Sequence, residues 1–292
     1  MDILLKNHDI SQLSNFHTPA TAQYYFEISS LEDISKLTEI YNFSEKNNLP
    51  VLIVWWGTNL LFAFDNYKWI VIQNSLKWWS YHQETSKLEA YSSESIWDIA
   101  QILESDDGQD LWHRFIGLPG SIGWAVFWNA GCFWLETENN FVSAKVWNIE
   151  TQSIEILSKE DMEFTYRSSI LKTSGKYFLI SVIFDLSEKI EKYHSDVDNL
   201  DFRENKQPKW NTCGSFFKNP SKEYSAGRLI EEVGLKWFHH WWAFFSELHA
   251  NFLMFDGKWS YTDLLELIEI AQEKVKKQFD IEITPEVRII HN

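Results

Sequence analysis

The stretch VLIVWWGTNLLF, residues 51–62, constrains the fold more tightly than any other part of the chain. Four apolar residues at 51–54 read as a buried strand, and GTN at 57–59 reads as a tight turn of the kind whose main-chain N–H groups hold phosphate. Between strand and turn, however, stand Trp55 and Trp56. A β-carbon and an indole at two successive turn positions fill the space a phosphate needs and add strain of about 1–3 kcal/mol per residue.

That pair belongs to a wider imbalance. The 292 residues include 16 Trp, about 5.5%, and 11 Gly, about 3.8%, against a usual glycine level of roughly 7%. Adjacent tryptophans recur at 78/79 and 241/242. Moving about ten residues from the tryptophan column to the glycine column restores an ordinary glycine content.

The net charge of −16, from 26 Lys+Arg and 42 Asp+Glu, argues against nucleic-acid or anionic-membrane partners, which require clustered positive charge. An anionic ligand must therefore be held by local donors. No run of 18 apolar residues occurs, and the first twenty residues lack the apolar core of a signal peptide, so a cytoplasmic protein is expected. Cys132 and Cys213 show neither C-x-x-C nor His spacing and are expected to pack as small buried residues.

Along the chain, Ser30 opens a helical pattern with Asp33 at capping-box spacing and Leu31, Ile34 and Leu37 on one face, ending near Pro50. A strand follows at 51–54, a second is expected at 69–73, and Ser95 starts a helix with Ile96, Ile99, Ala100 and Leu103 inward. The segment 115–136 reads as loop-rich. Three strands follow, FVSAKVWNI, SIEIL and YFLISVIFDL, the last alternating as in a sheet with one buried face. The polar stretch 187–209 is the candidate domain boundary. Beyond it the pattern gives a turn at 211–220, a helix near 225–233 stopped by Gly234, a strand at 250–255, and a long final helix from Thr262.

Four segments, GTNLLF (57–62), GLPGSIGWAVFWNAG (117–131), YRSS (166–169) and GSFFKNPSKEYSAGRLIEEVGLK (214–236), resemble the flavin-dependent UDP-N-acetylenolpyruvoylglucosamine reductases of cell-wall synthesis. SELHANF (246–252) and TPEVR (284–288) extend the resemblance, in order, almost to the last residue. It implies an α+β fold: a two-lobed flavin-binding domain of the vanillyl-alcohol-oxidase-like group at 1–190 and a smaller α+β substrate domain at 191–292. FAD and NADPH are the implied cofactors, a UDP-sugar enolpyruvyl ether the implied substrate, and a monomer the implied state. No G-x-G-x-x-G fingerprint is present, so a doubly wound fold is not implied.

The resemblance places catalysis on Arg167, Ser215 and Glu286. Arg167 would pair with the substrate carboxylate or enolate through its planar fork, Ser215 would donate a proton, and Glu286 would polarise the developing enolic acid. Gly57, Thr58 and Asn59 would form one wall of the cofactor site; Pro119, Gly120, Ser121, Gly123, Asn129, Ala130 and Gly131 would form the other. Tyr166, Lys218, Asn219 and His249 are implied to bind substrate, with Arg228 a weaker candidate. The His239/His240 pair lacks a third ligand at suitable spacing, so no metal site is assigned. Where relatives carry a Thr-Phe-Arg-type stretch with paired glycines, this chain has NFHTPATAQYY, which leaves the adenine-side contacts unassigned. No tyrosine-bearing insertion can be placed between Leu171 and Lys209, which favours the shorter branch of the family.

In such proteins the segment before GTNLL is glycine-rich, as are the positions held here by Trp124, Trp134, Trp210, Trp237, Trp241 and Trp242. Glycine serves there because main-chain N–H groups approach a pyrophosphate only where no β-carbon intervenes. UGA lies one base from both UGG and GGA, and some bacterial lineages read it as glycine while others read it as tryptophan. Reading one kind of gene with the other table gives this pattern. Trp97 and Trp112, in apolar surroundings, read as genuine. Two alternatives stand beside the reductase: another flavin-domain oxidoreductase, and a catalytically dead relative in which the tryptophans are literal.

Overall fold

The computed structural model describes residues 3–55, 59–187, 201, 203, 205–208, 211–256 and 260–292. Gly57, Thr58, Trp56 and Trp210 lie outside the described residues, as does most of the polar stretch 187–209. Two compact units emerge. The first comprises residues 1–4, 25–56 and 70–200, and the second 5–24, 57–69 and 201–292. Both are discontinuous because β2 (Thr21–Ile28) and β5 (Asn66–Asn74) each begin in the second unit and end in the first. Strand β1 (Leu5–Asp9) lies wholly in the second.

In the first unit, β3 (Val51–Val54) runs parallel to β5, with Val51 opposite Ile70 and Val54 opposite Gln73. Ser30 and Asp33 do form a reciprocal capping box, but they cap a 3-10 turn over Leu31–Ser35; the helix proper, α1, is Lys36–Asn47. Leu31 is consequently exposed rather than inward, while Ile34 and Leu37 are buried. Helix α2 (Ile96–Asp107) follows its sequence pattern closely. The Ser95 side chain accepts from the Asp98 N–H, Gly108 closes the other end at φ 65°, and Ile96, Ile99, Ala100 and Leu103 are buried. Trp97, on the opposite face of that helix, is 40% exposed, against the apolar setting expected for it.

An antiparallel sheet forms the body of this unit, in the order β11-β10-β12-β7-β6. Its strands are β6 (Trp79–His82), β7 (Lys87–Tyr91), β10 (Phe141–Asn148), β11 (Ser153–Ser158) and β12 (Tyr177–Asp185). The last was expected to bury one face only. Instead Phe178 to Val182 are buried consecutively, because β12 is the central strand and α3 (Ile122–Trp128) and α4 (Ile170–Ser174) cover it. Helix α3 arises inside the segment that reads as loop-rich. A short hairpin, β8 (Gly131–Cys132) with β9 (Leu135–Glu136), follows it.

The second unit closes through a parallel pair, β4 (Leu60–Phe62) with β16 (Arg288–Ile290). A second sheet orders β13 (His239–His240), β14 (Ala243–Phe245) and β15 (Leu253–Phe255), the last narrower than the 250–255 strand expected. Helix α5 (Ala226–Glu232) is capped by Ser225, and Gly234 at φ 74° follows it. Helix α6 (Thr262–Phe279) buries Leu264, Leu267, Ile268, Ala271 and Val275 against Phe245, Phe255 and their neighbours. Burial of each larger side chain on that face contributes about 1.5–3 kcal/mol.

Candidate active site

The first unit gathers the residues from 119 to 131. Gly123 donates to the Ser92 carbonyl at 2.6 Å, an approach only glycine permits, since a β-carbon there would lie 2.8 Å from the same oxygen. Ser92 is fixed in turn: its hydroxyl donates to Leu179 O at 2.7 Å and accepts from Asn74 Nδ2 at 2.7 Å. Ser121 caps α3 by accepting from the Trp124 N–H, and Asn129 ends it in the left-handed conformation at φ 42°. The Asn129 amide is committed to the protein. Its Nδ2 donates to Glu138 Oε1 and to Thr165 O, and its Oδ1 accepts from Glu138 N, so it fastens two loops together. Gly120 and Ala130 are buried, Gly131 is half-buried and Pro119 exposed.

Arg167 sits on the tip of a tight turn in which Thr165 and Ser168 exchange main-chain hydrogen bonds of 3.1 Å. Its φ is 56°, uncommon for a non-glycine residue, and its guanidinium donates to Gly131 O at 3.0 Å while lying 4.9 Å from the Tyr166 ring. Tyr166 itself is exposed. The turn thus brings Arg167 to the Gly131 end of the wall. Burial, and then the neighbouring Glu138 carboxyl, push Glu136 above the ordinary carboxylate range, with Arg167 pulling the opposite way.

In the second unit, Ser215 to Lys218 is laced between two other segments. On one side Phe216 N donates to Asn251 O at 2.7 Å, and the Asn251 side chain both accepts from Phe217 N (2.9 Å) and donates to Phe217 O (2.8 Å). On the other, Glu286 N donates to Phe216 O at 2.7 Å and Lys218 N to Thr284 O at 2.9 Å. Phe216 and Phe217 are buried, whereas Ser215 is exposed. Asn59 joins this lattice by donating from Nδ2 to Glu286 O and accepting from Arg288 N. Ser215 and Glu286 therefore lie on adjacent pinned segments. Asn251 and Glu138 carry no motif of their own; a polar side chain inside HANF was the one available signal for the first.

Other predicted residues are placed less suggestively. Asn219 Oδ1 accepts from Ala226 N and so helps start α5. His249 accepts from Asn251 N at Nδ1, and burial depresses its pKa, which keeps the ring neutral and tied to its turn. Arg228 pairs with Glu232 on an exposed helix face. His239 stacks on Phe244 while His240 meets Glu266 at 2.6 Å, so the two imidazoles are engaged separately. Both cysteines are half-buried; Cys132 donates to Arg114 O and Cys213 to Leu60 O, and loss of solvent pushes the Cys213 thiol up to about 12.

The wall at 119–131 does not fit a flavin dinucleotide with the side chains as written. A β-carbon placed on Gly123 would lie 2.8 Å from the Trp55 indole, and one on Gly120 would lie 2.5 Å from the Trp124 indole. Two indoles thus cover the bare main chain that a pyrophosphate would need. Both of their N–H groups are buried, with no hydrogen-bond partner among the described residues.

Comparison with known proteins gives a consistent set of similarities. Residues 206–290 match the family model described as UDP-N-acetylenolpyruvoylglucosamine reductase, C-terminal domain. The UDP-N-acetylenolpyruvoylglucosamine reductase of Chlamydia felis is 32% identical over 96% of this chain and 92% of its own. That of Clostridium novyi is 33% identical over 99% of this chain and 91% of its own. The crystal structure of the Thermus caldophilus reductase shares the fold, with a TM-score of 0.77 at 22% identity and 98% of each chain covered.

Proposed function

The chain belongs to the UDP-N-acetylenolpyruvoylglucosamine reductase family, and from that premise we propose which of its groups perform each part of the reaction. The enzyme is an FAD-dependent oxidoreductase that uses NADPH to reduce UDP-N-acetylenolpyruvoylglucosamine to UDP-N-acetylmuramate, a peptidoglycan precursor. Saturating the enolpyruvyl double bond adds hydride to the terminal carbon and a proton to the carbon beside the carboxylate. The protein must therefore stabilise an enolate and deliver a proton to one face.

Ser215 delivers that proton. The observation that carries this assignment is the double lacing of Phe216 and Phe217, which holds an exposed hydroxyl on a segment fixed from both sides. Glu286, whose own N–H is part of that lacing, polarises the enolic acid. Arg167, held at a turn by Gly131 O, pairs with the substrate carboxylate. Lys218 and Asn219 of FFKNP bind the substrate's nucleotide and phosphate, Tyr166 of YRSS also binds substrate, and His249 supports the Ser215 segment. In this reading residues 1–190 form the flavin domain and 191–292 the substrate domain, with Arg167 and Tyr166 of the first also serving substrate. Gly57, Thr58 and Asn59 and the glycines of 120–131 serve the flavin. The enzyme works as a cytoplasmic monomer without membrane or nucleic-acid partners, and its net charge of −16 supports the last two points. Among the described residues, no helix is long and apolar enough to cross a membrane.

The test is Ser215→Ala. Substrate-dependent NADPH oxidation falls by roughly 10²–10⁴-fold, the usual worth of a positioned proton donor, with UDP-sugar affinity by calorimetry unchanged. Turnover at the parental rate removes Ser215 from the mechanism.

A further inference from the structure

We infer that residues 55, 124, 134, 237 and 241 are glycine in the protein the cell makes, and that glycine at 55 and 124 is what opens the flavin wall. The second half rests on the function proposed above; the first half stands on backbone geometry. Trp134, Trp237 and Trp241 adopt φ of 67°, 61° and 52°, the left-handed region in which a bulky residue is an outlier. Most other non-glycine residues there are Asn, Asp, Ser, His, Gln, Glu or Arg, whose polar side chains are more at home in turns. Gly108, Gly117, Gly175, Gly214 and Gly234 share the same region, so these three tryptophans stand where this chain otherwise uses glycine or, Phe133 apart, polar turn residues. Nor does burial compensate: the three side chains are 80%, 53% and 77% exposed.

Trp55 and Trp124 carry a different mark. Trp55 is 9% exposed and Trp124 half-buried, yet neither indole N–H finds a partner among the described residues, although a buried indole normally donates a hydrogen bond. Both rings lie on glycines, Trp55 on Gly123 and Trp124 on Gly120. Trp124 stands in the first turn of α3, not in a loop, so turn geometry alone does not explain it. Replacing both indoles by hydrogen removes two orphaned donors and bares the main chain around Gly120 and Gly123.

Other tryptophans behave as tryptophan should. Trp112 is 1% exposed, donates to Asn140 Oδ1 and meets Phe115 and Phe184 edge-on. Trp147 packs on Tyr41 at 5.3 Å, and Lys172 lies 4.0 Å from the Trp128 ring. The anomaly is therefore specific to a subset, as a single reassigned codon requires. A chain that was aromatic-rich by nature would not confine its misfits to left-handed turns and to rings seated on glycine.

Protein purified from the cells that carry the gene is analysed by intact mass and peptide sequencing. Each reassigned position lowers the mass by about 129 Da, because glycine lacks the whole indolylmethyl group. Tryptophan at all five positions overturns the inference. In parallel, a Trp56→Gly chain and a Trp55→Gly/Trp56→Gly/Trp124→Gly chain are titrated with FAD and passed through gel filtration. The triple variant is expected to retain a yellow flavin spectrum and the Trp56→Gly chain to elute colourless; equal retention by both overturns the role given to 55 and 124. Glycine at the five positions in a native protein that refuses FAD would support the residue assignment and sink the flavin reading. Tryptophan in a native flavoprotein would do the reverse.

Discussion

Asn251 offers a sharp test of how the Ser215 segment is held. Its side chain is 3% exposed and spans both main-chain groups of Phe217, which is itself 1% exposed. Asn251→Ala strips the partner from a buried N–H and from a buried C=O. Each orphaned group costs about 1–3 kcal/mol, so the sum is roughly 2–6 kcal/mol. Taking about 4 kcal/mol, at 2–4 °C per kcal/mol for a chain of this size, Tm falls by roughly 8–16 °C. Asn251→Asp keeps an acceptor for Phe217 N but sets a carboxylate against Phe217 O, so it loses stability as well. The assay is thermal and urea unfolding followed by circular dichroism, with substrate-dependent NADPH oxidation measured well below the melting range. Ser215→Ala is the paired control: its exposed hydroxyl leaves the lacing untouched, so stability stays within about 0.5 kcal/mol. An Asn251→Ala protein that melts within 1–2 °C of the parent would show that the Phe217 groups are satisfied some other way, and would remove the fixed segment on which the Ser215 assignment depends.

Three further outcomes are expected. Arg167→Gly and Arg167→Ala both lose the contacts of the guanidinium and both lose turnover, but only the glycine relieves the positive φ, so Arg167→Gly melts as if about 1–2 kcal/mol more stable than Arg167→Ala. Because burial depresses the His249 pKa below 6.5, the unfolded chain binds the proton more readily, and stability contributed above pH 6.5 is lost as pH falls from 6.5 through the folded value; Tm measured across that window should drop for the parent and flatten in His249→Gln. Trp134→Gly should raise Tm and Trp112→Phe lower it, since the first residue strains an exposed turn and the second fills the core and donates to Asn140; equal responses would remove the distinction between the two classes of tryptophan.

Where periodicity coincided with a local signal, the sequence was legible. Ser95 and Asp98 with an inward face at 96, 99, 100 and 103 define α2, and the pattern from Thr262 defines α6, because both helices bury one side only. Helix α3 was hidden for the opposite reason: Ile122, Gly123 and Ala125 to Trp128 are all buried, which erases the amphipathic period and leaves Ser121 as the sole cue. Strands β6 and β7 were missed because each is short and only partly buried. Arg167, Ser215 and Glu286 are candidates that the motifs name, whereas Asn251, although inside SELHANF, and Glu138, outside every motif, are not singled out by them. Their roles come from hydrogen bonds to Phe217 and Asn129, and distant main-chain partners leave no trace in local spacing.

The parallel pairing of β4 with β16 also bears on synthesis. Asn59 and Glu286, which hydrogen-bond at its mouth, are 227 positions apart, so the edge at Leu60–Phe62 emerges from the ribosome long before its mate exists. Through most of elongation that edge stays open to pairing with a neighbouring nascent chain, a hazard that falls as expression is slowed. A host that treats UGA as a stop signal would, on the codon assignment above, never reach β16 at all. Stopping at position 55, it would release a fragment that ends with β3, before β4 and before most of either unit.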